Sequence, residues 1–435
     1  MRICLVSFEY PPFHGGGIGT YAGIISRCLA RAGHEVHVLA NGWDGAGDGD
    51  SAAPVGGLTI HRLRALDAAF RPLPPHDRPG DPLGTVCLRF ERALYWSVLV
   101  AEALAELWRR DRVEVVEFPE CFAEGYTALR RRAAGLDLHR LAMCVHLHTP
   151  IEDHTELNLG RVFEPWYRRR VAMERYGIVH ADRLSSPSRS LAAIVRGRLG
   201  LDTDRHPCDV IPYAVDQERH APAEEQSVGA ADPPTLLFVG RLEPRKGVVE
   251  LVDAAVRVMA DSPALTVRLL GRDCDAGVVR GSMVEFLKGR IPAEHRERFL
   301  FEGQRPREEV LAAYRSATAC VFPAPWDNFP FTCCEAMASG SCVVVGAEGG
   351  MAELVQHERS GLVAPVRDVG ALAAAIRRVL ADPVLARTLR RGAIRRVREV
   401  CDPRRVVAER VEHYQAAIDT RRHHPRIGPV TERAR

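Results

Sequence analysis

Residues 320–340 of this chain, CVFPAPWDNFPFTCCEAMASG, place two carboxylates in and just after one strand-to-helix turn. Asp327 lies in the turn, and Glu335 follows eight positions later in a segment, Phe331–Ser339, whose composition predicts a helix. Apolar stretches at Ala319–Phe322 and Cys342–Val345 predict the flanking strands. In a parallel α/β sheet such a turn sits at the carboxyl end of a strand, where ligands bind. A carboxylate in the loop and another two helical turns on can reach different parts of one extended ligand. A second strand-to-helix turn, VGRLEPRKG at 239–247, offers Arg241 and Lys246. Two cations from one turn and two acids from the other suit a diphosphate held between two hydroxyl-rich groups. That describes a nucleotide sugar.

These residues resemble the family 4 retaining glycosyltransferases, whose mark is Glu, seven residues, Glu, then Ala-Met-Ala and a Gly. Glu335 is the second Glu here, and Ala336-Met337-Ala338-Ser339-Gly340 follow it. Asp327 replaces the first Glu, and the usual Gly-Phe-Gly after it reads Asn328-Phe329-Pro330. Gly240-Arg241-Leu242, three residues, then Lys246-Gly247 matches the family's diphosphate motif. The resemblance runs from the glycine loop near residue 15 to the segment around Glu353.

The resemblance implies an α/β chain of two Rossmann-like parallel-sheet domains facing a cleft, the GT-B arrangement. The carboxyl-terminal half would hold the donor, and the last helix would return to the first domain. It also implies a hexose-type transfer with retention at the anomeric carbon, by same-face attack in which the departing phosphate takes the acceptor proton. No cofactor and no metal are expected, since Arg241 and Lys246 stand in for metal charge. Glu335 would hold the ribose hydroxyls and Asp327 the sugar ring, with Asn328, Phe329, Phe331 and Thr332 lining the donor site. Gly16 and Gly17 would line the cleft near the diphosphate and acceptor. His148, rather than His146, would sit beside the donor sugar, bind a hydroxyl and position the acceptor.

Each of these residues also has a plainer reading. Arg241 and Lys246 are expected in an exposed turn, where truncation usually costs within about ±0.5 kcal/mol of stability. Gly15–Gly17 alone describe a flexible turn as well as a close approach to a phosphate. His146 and His148, two apart on a strand, resemble a metal pair with no third ligand nearby in sequence, or read as a core-facing histidine with a satisfied hydrogen bond. An acid at Glu335 among apolar neighbours needs a partner. Pro330 lacks a backbone N–H, which alters ligand contacts more than the fold. Glu353 is expected to cap its own helix or to touch the donor. Asp153, His154, Glu117 and Glu120 fall in the acceptor half without an assigned role.

At 435 residues the chain suits two domains rather than one core. A 46% hydrophobic and 26% charged composition is that of a globular protein. A formal net charge of +3 argues against wholesale nucleic-acid binding. No apolar run reaches the roughly 18–20 residues of a membrane span, and no signal peptide is apparent at the start. The runs Arg130–Arg132 and Arg168–Arg170 read as solvated helix surface or, more sharply, as a docking face for anionic lipid head groups. Twelve scattered cysteines without a C-x-x-C pair suit a reducing cytoplasm. The expected location is therefore cytoplasmic, with peripheral contact at the inner membrane face as the sharper alternative.

Strand and helix signals alternate through residues 1–216, the acceptor-binding half. The polar stretch 217–234 reads as a linker, and a second series fills 235–400, the nucleotide-sugar half. A helix at 401–420 and a disordered tail at 421–435 follow, while residues 41–57 and 71–84 are expected as mobile loops. The acceptor is a glycan, a lipid-linked molecule or a small molecule. Rival readings are a GT-B-like sugar-nucleotide epimerase or phosphorylase, a non-catalytic nucleotide-sugar binder, and a nicotinamide-dependent oxidoreductase. The last is weakened because no G-x-G-x-x-G opens a helix with an acid about 20 residues on.

Overall fold

The computed structural model describes residues 1–12, 16–42, 56–63, 92–158, 164–216, 220, 233–274 and 281–423. Its apolar runs form two sheets. β1 (Arg2–Ser7), β2 (Glu35–Asn41), β3 (Leu58–Leu63), β4 (Val115–Pro119), β5 (Ala142–His146), β6 (Arg183–Ser186) and β7 (Cys208–Val210) make the first. β8 (Thr235–Val239), β9 (Thr266–Leu270), β10 (Phe299–Gly303), β11 (Ala319–Phe322), β12 (Val343–Gly346) and β13 (Leu362–Ala364) make the second. All pairings are parallel. Strands of a parallel sheet are covered on both faces, which is why they read as unbroken apolar runs. Every residue of β4, β5, β11 and β12 is buried.

The strand orders are β3-β2-β1-β4-β5-β6-β7 and β10-β9-β8-β11-β12-β13. In each sheet the chain winds outward from its first strand and then returns to that strand's other side. The reversal opens a crevice beyond the carboxyl ends of β1 and β4, and another beyond those of β8 and β11. The second domain has its own core, in which Leu236, Val267, Val321 and Val344 pack against Leu251 and Ile376. Another apolar cluster crosses between the domains and joins Tyr21, Tyr213, Phe329 and Phe331 to Val406 and Tyr414.

The last helix, Pro403–His423, packs on β4, β5 and the helix Gly17–Arg31 of the first domain. The chain crosses over at Cys401, whose carbonyl accepts the Val215 N–H at 3.1 Å. Arg410 anchors the helix and is wholly buried. Its Nη1 donates to Glu117 Oε2 at 2.9 Å and Ser185 Oγ at 2.7 Å. Tyr21 and Tyr414 donate their hydroxyls to the same carboxylate, at 2.7 and 2.9 Å. Glu117 therefore serves the fold.

The helix continues to His423, past the expected start of a disordered tail, because the buried Arg421 donates to the His139 carbonyl at 2.8 Å. Residues 424–435, most of the linker, and most of the loops at 41–57 and 71–84 lie outside the described residues. His220, within the linker stretch, is buried rather than solvent-borne. Arg130–Arg132 is not a bare basic face, and in the second run Arg170 is buried while Arg168 and Arg169 are exposed. Arg131 pairs with Asp137 and Arg132 with Asp182, while Arg130 and Arg170 lie over the rings of Tyr176 and Phe122. Among the described residues no helix is long and apolar enough to cross a membrane.

Removing Arg410 leaves Glu117 buried without its cation, a loss that typically costs about 3–5 kcal/mol. Urea unfolding of Arg410→Ala should show a destabilisation of that size. A loss below about 1 kcal/mol, the scale of an exposed ion pair, would contradict the anchoring role.

Candidate active site

The turns after β8 and β11 are pressed together. Gly247 has φ +70°, and a Cβ there would fall 2.2 Å from the Pro323 carbonyl oxygen. Only glycine allows that approach. It brings Lys246 Nζ into an ion pair with Asp327 Oδ2 and puts Arg245 Nη1 3.5 Å from Oδ1. The Asn328 N–H adds a hydrogen bond to Oδ1 at 2.9 Å. Burial pushes the Asp327 carboxyl up, but the charges of Lys246 and Arg245 outweigh it and hold it below the ordinary carboxylate value. Burial and then Arg245 push the Lys246 ammonium down, against the pull of Asp327.

Arg245 Nη2 also meets Glu243 Oε1 at 2.7 Å, an oxygen that Arg241 shares at 3.3 Å. The Arg241 side chain is 42% exposed, as expected of a turn, whereas that of Lys246 is only 18% exposed. The expectation of an exposed Lys246 is therefore corrected, the cause being its pairing with the buried Asp327.

Glu335 lies on the helix Phe331–Ala338, among the buried Cys333, Cys334, Ala336 and Met337. Its carboxylate accepts from Arg307 Nη2 at 3.1 Å and lies 3.8 Å from His220 Nε2. Phe331 stacks on Tyr213, centroids 4.6 Å apart and planes at 1°, and Phe329 meets the same ring edge-on at 5.8 Å. A Cβ on Gly17 would lie 3.9 Å from Phe331, so the glycine loop of the first domain faces the helix that carries Glu335. A Cβ on Gly16 would lie 3.3 Å from Glu9 Oε2. Thr332 is half-buried on that helix, and Gly15 lies outside the described residues.

His148 lies two residues beyond β5, on the first-domain side. Its N–H donates to both oxygens of Glu120, at 2.9 and 2.8 Å, and its Nδ1 lies 2.8 Å from the Tyr213 hydroxyl. Burial, and then the charge of Arg410, push its ring down to about 3. Burial pushes the Glu120 carboxyl up to about 7, with the N–H groups of His148 and Thr149 pulling the other way. His146 is turned to a different task, with its Nδ1 2.8 Å from Ser185 Oγ and its ring stacked on Tyr21. His154, on the helix Ile151–Leu157, is pushed down to about 4 by burial and then by Arg245. Asp153 pairs with Arg198 at 2.9 Å.

Asn328 and Glu353 are among the side chains that tie the domains together. Asn328 spends its amide on the first domain, with Nδ2 donating to the His148 carbonyl at 2.6 Å and Oδ1 accepting from Ser188 Oγ at 2.8 Å. Glu353 caps a helix, but not its own. Its carboxylate accepts the Arg189 and Ser190 N–H groups, at 2.9 and 2.7 Å, which open the first-domain helix Arg189–Leu199. A Cβ on Gly350 would fall 1.5 Å from the Asn328 carbonyl oxygen and 3.0 Å from Ser188 Cβ, which explains a glycine there.

The structure thus gathers Arg241, Lys246 and Asp327 in one cluster, with Phe331 bridging from Glu335 to Gly17. Sequence reasoning missed Arg245, Glu243, Tyr213, Arg307 and His220. Arg245 and Glu243 carried a signal, since both stand in the same turn as Lys246.

With its folded value near 3 against about 6.5 when unfolded, His148 is neutral in the folded chain across roughly pH 5–8. The unfolded chain binds the extra proton below about pH 6.5, so this group erodes stability as pH falls through that range. The pH dependence of turnover should show no limb near 6.5 that belongs to His148. A limb there that vanishes in His148→Ala would contradict its buried, neutral state.

Comparison with known proteins gives one family. The model described as "Glycosyltransferase Family 4" matches residues 15–219, and that described as "Glycosyl transferases group 1" matches residues 221–396. The chain is 29% identical to glycogen synthase of Mycobacterium tuberculosis over 455 aligned positions, covering 100% of this chain and 99% of that protein. Among solved structures, sucrose-phosphate synthase from Thermosynechococcus elongatus superposes with a TM-score of 0.72 at 23% identity, over 95% of this chain and 98% of that one. HepE from Anabaena, solved in complex with UDP-glucose, superposes with a TM-score of 0.63 at 18% identity, over 95% and 99%. The chain belongs to the family 4 glycosyltransferases and has their GT-B fold.

Proposed function

We propose that this glycosyltransferase moves a hexose-type sugar from a UDP- or GDP-linked donor to a hydroxyl of a carbohydrate acceptor, with retention and without a metal ion. The observation that carries this is the cluster at the β8–β11 reversal. There Arg241 stands open beside a Lys246–Asp327 pair, and Glu335 follows two helical turns on. The solved complex of HepE with UDP-glucose and the likeness to a glycogen synthase support a glucose-type donor and a glycan acceptor.

On this reading a diphosphate reaches Arg241 first and then competes with Asp327 for Lys246. Lys246 exchanges one anion for another and Asp327 is freed toward the sugar ring. Fixed cations then stabilise the charge that grows on the leaving phosphate as the glycosidic bond breaks. Glu335 accepts the ribose hydroxyls, as a carboxylate can for two donors at once. His148, neutral and with Nδ1 taken by Tyr213, offers Nε2 to a sugar hydroxyl. The acceptor proton passes to the departing phosphate, so the scheme needs no separate protein base.

Melting curves with UDP and GDP test the donor class, since a ligand at 100 times its dissociation constant adds about 2.7 kcal/mol. Glu335→Ala should weaken the preferred nucleotide by about 1.5–3 kcal/mol, the worth of a hydrogen bond to a charged group. Unchanged affinity would remove Glu335 from the site. Arg241→Ala should lower turnover by about 100- to 1000-fold while its melting temperature stays near wild type. Lys246→Ala should lose both turnover and stability, because Asp327 is left buried with a more distant cation. Turnover of wild type should survive EDTA. Full activity of Arg241→Ala, or a wild type silenced by the chelator, would sink the assignment.

A further inference from the structure

We propose that Asn328 is a positioning residue that couples the donor-side cations to His148 across the domain boundary. The inference rests on the diphosphate reading above and adds what occupation of that site does. Asp327 and Asn328 are neighbours that face opposite ways. The Asp327 carboxylate belongs to Lys246 and Arg245 of the second domain, while the Asn328 amide belongs to His148 and Ser188 of the first. The Asn328 N–H also donates to Asp327 Oδ1, so the carboxylate that must swing when a diphosphate claims Lys246 is tied to the peptide that carries the amide.

That peptide has little room to absorb the movement. The Gly350 N–H donates to the Asp327 carbonyl at 2.8 Å, and Asn328 is 3% exposed. On the other side, the His148 backbone is gripped at both ends, its N–H by Glu120 and its carbonyl by Asn328. Ser188 Oγ, the second partner, also accepts the Leu191 N–H at 3.2 Å as the cap of the helix Arg189–Leu199. An unbroken line of polar contacts thus runs from Lys246 through Asp327 and Asn328 to His148.

The residue type fits the task. A primary amide offers a donor and an acceptor on a two-carbon reach, and both are used here. Alanine would leave the His148 carbonyl without its Asn328 donor and Ser188 Oγ without its amide acceptor, and an ionised aspartate would set a carboxylate against the carbonyl. Neither change touches Arg241, Lys246 or Glu335, so nucleotide binding and sugar transfer should respond differently.

The test compares wild type, Asn328→Ala and Asn328→Asp by calorimetric titration with UDP and GDP, and by nucleotide release from UDP-glucose and GDP-mannose with a carbohydrate acceptor panel. Asn328→Ala should keep its nucleotide affinity within about twofold and lose turnover by about five- to a hundredfold, the range of a buried polar group left unsatisfied. Asn328→Asp should be weak near pH 8 and recover relative to wild type toward pH 5, as the buried acid takes a proton and regains a donor. If Asn328→Ala does not fold by melting curve, Ser188→Ala removes one partner and should show the same split at smaller amplitude. Affinity and turnover falling together would make Asn328 a donor ligand and overturn the coupling. So would normal turnover in a folded Asn328→Ala, or an Asn328→Asp that ignores pH. A wild type that binds neither nucleotide would overturn the diphosphate reading first, and this inference with it.

Discussion

The ion pair between Lys246 and Asp327 is the interaction on which the site depends. A carboxylate with 7% exposure would, by itself, take up a proton or destabilise the fold by several kcal/mol. Two cations and a backbone N–H keep it ionised instead. Those cations come from the other βα turn, so the pair exists only because Gly247 lets the turns touch. Glu243 holds Arg245 in place from behind, and Arg241 is left facing solvent as the open member of the group. On the proposed function, the resting site is thus already balanced in charge. An incoming diphosphate replaces a carboxylate rather than entering an uncompensated cationic hole, which lowers the desolvation cost of binding.

The same loop decides how the two domains meet. Trp326 donates to Ser190 Oγ at 2.9 Å, Asn328 joins Ser188 and His148, and Glu353 caps the helix that Ser188 begins. The amino end of the helix Arg189–Leu199 is therefore completed by side chains of the second domain. The terminal helix adds a second tie, and its Arg410 also bears on the chemistry. Its charge, seated among Glu117, Tyr21 and Ser185, is one of the two causes that keep the His148 ring neutral. Fold anchor and cleft electrostatics share one guanidinium.

The fold was legible because parallel strands buried on both faces leave unbroken apolar runs such as ACVF and VVVG, and because glycines mark the ends of elements. The cation turn and the acid turn were legible from residue type and spacing. Partnership was not. Nothing local to Lys246 distinguishes an exposed lysine from one paired with a residue 81 positions away. Glu353 was expected to cap its own helix, and the contact it makes spans 164 positions. Tyr213, which supports both His148 and Phe331, carries no motif at all. The buried His220 lay in a stretch whose polar composition read as linker. Short-range patterns report which elements form and where ligands gather, while the wiring between distant turns is fixed only by packing.

Glycosyl transfer itself is the claim to test most directly. Purified chain would be incubated with UDP- and GDP-linked hexoses, with and without a panel of carbohydrate acceptors, and the products followed by nuclear magnetic resonance. Free nucleotide should appear only when an acceptor is present, together with a new glycosidic bond that keeps the donor's anomeric configuration. Nucleotide released equally without acceptor, an inverted bond, or nucleotide binding with no new bond on any acceptor would contradict retaining glycosyl transfer.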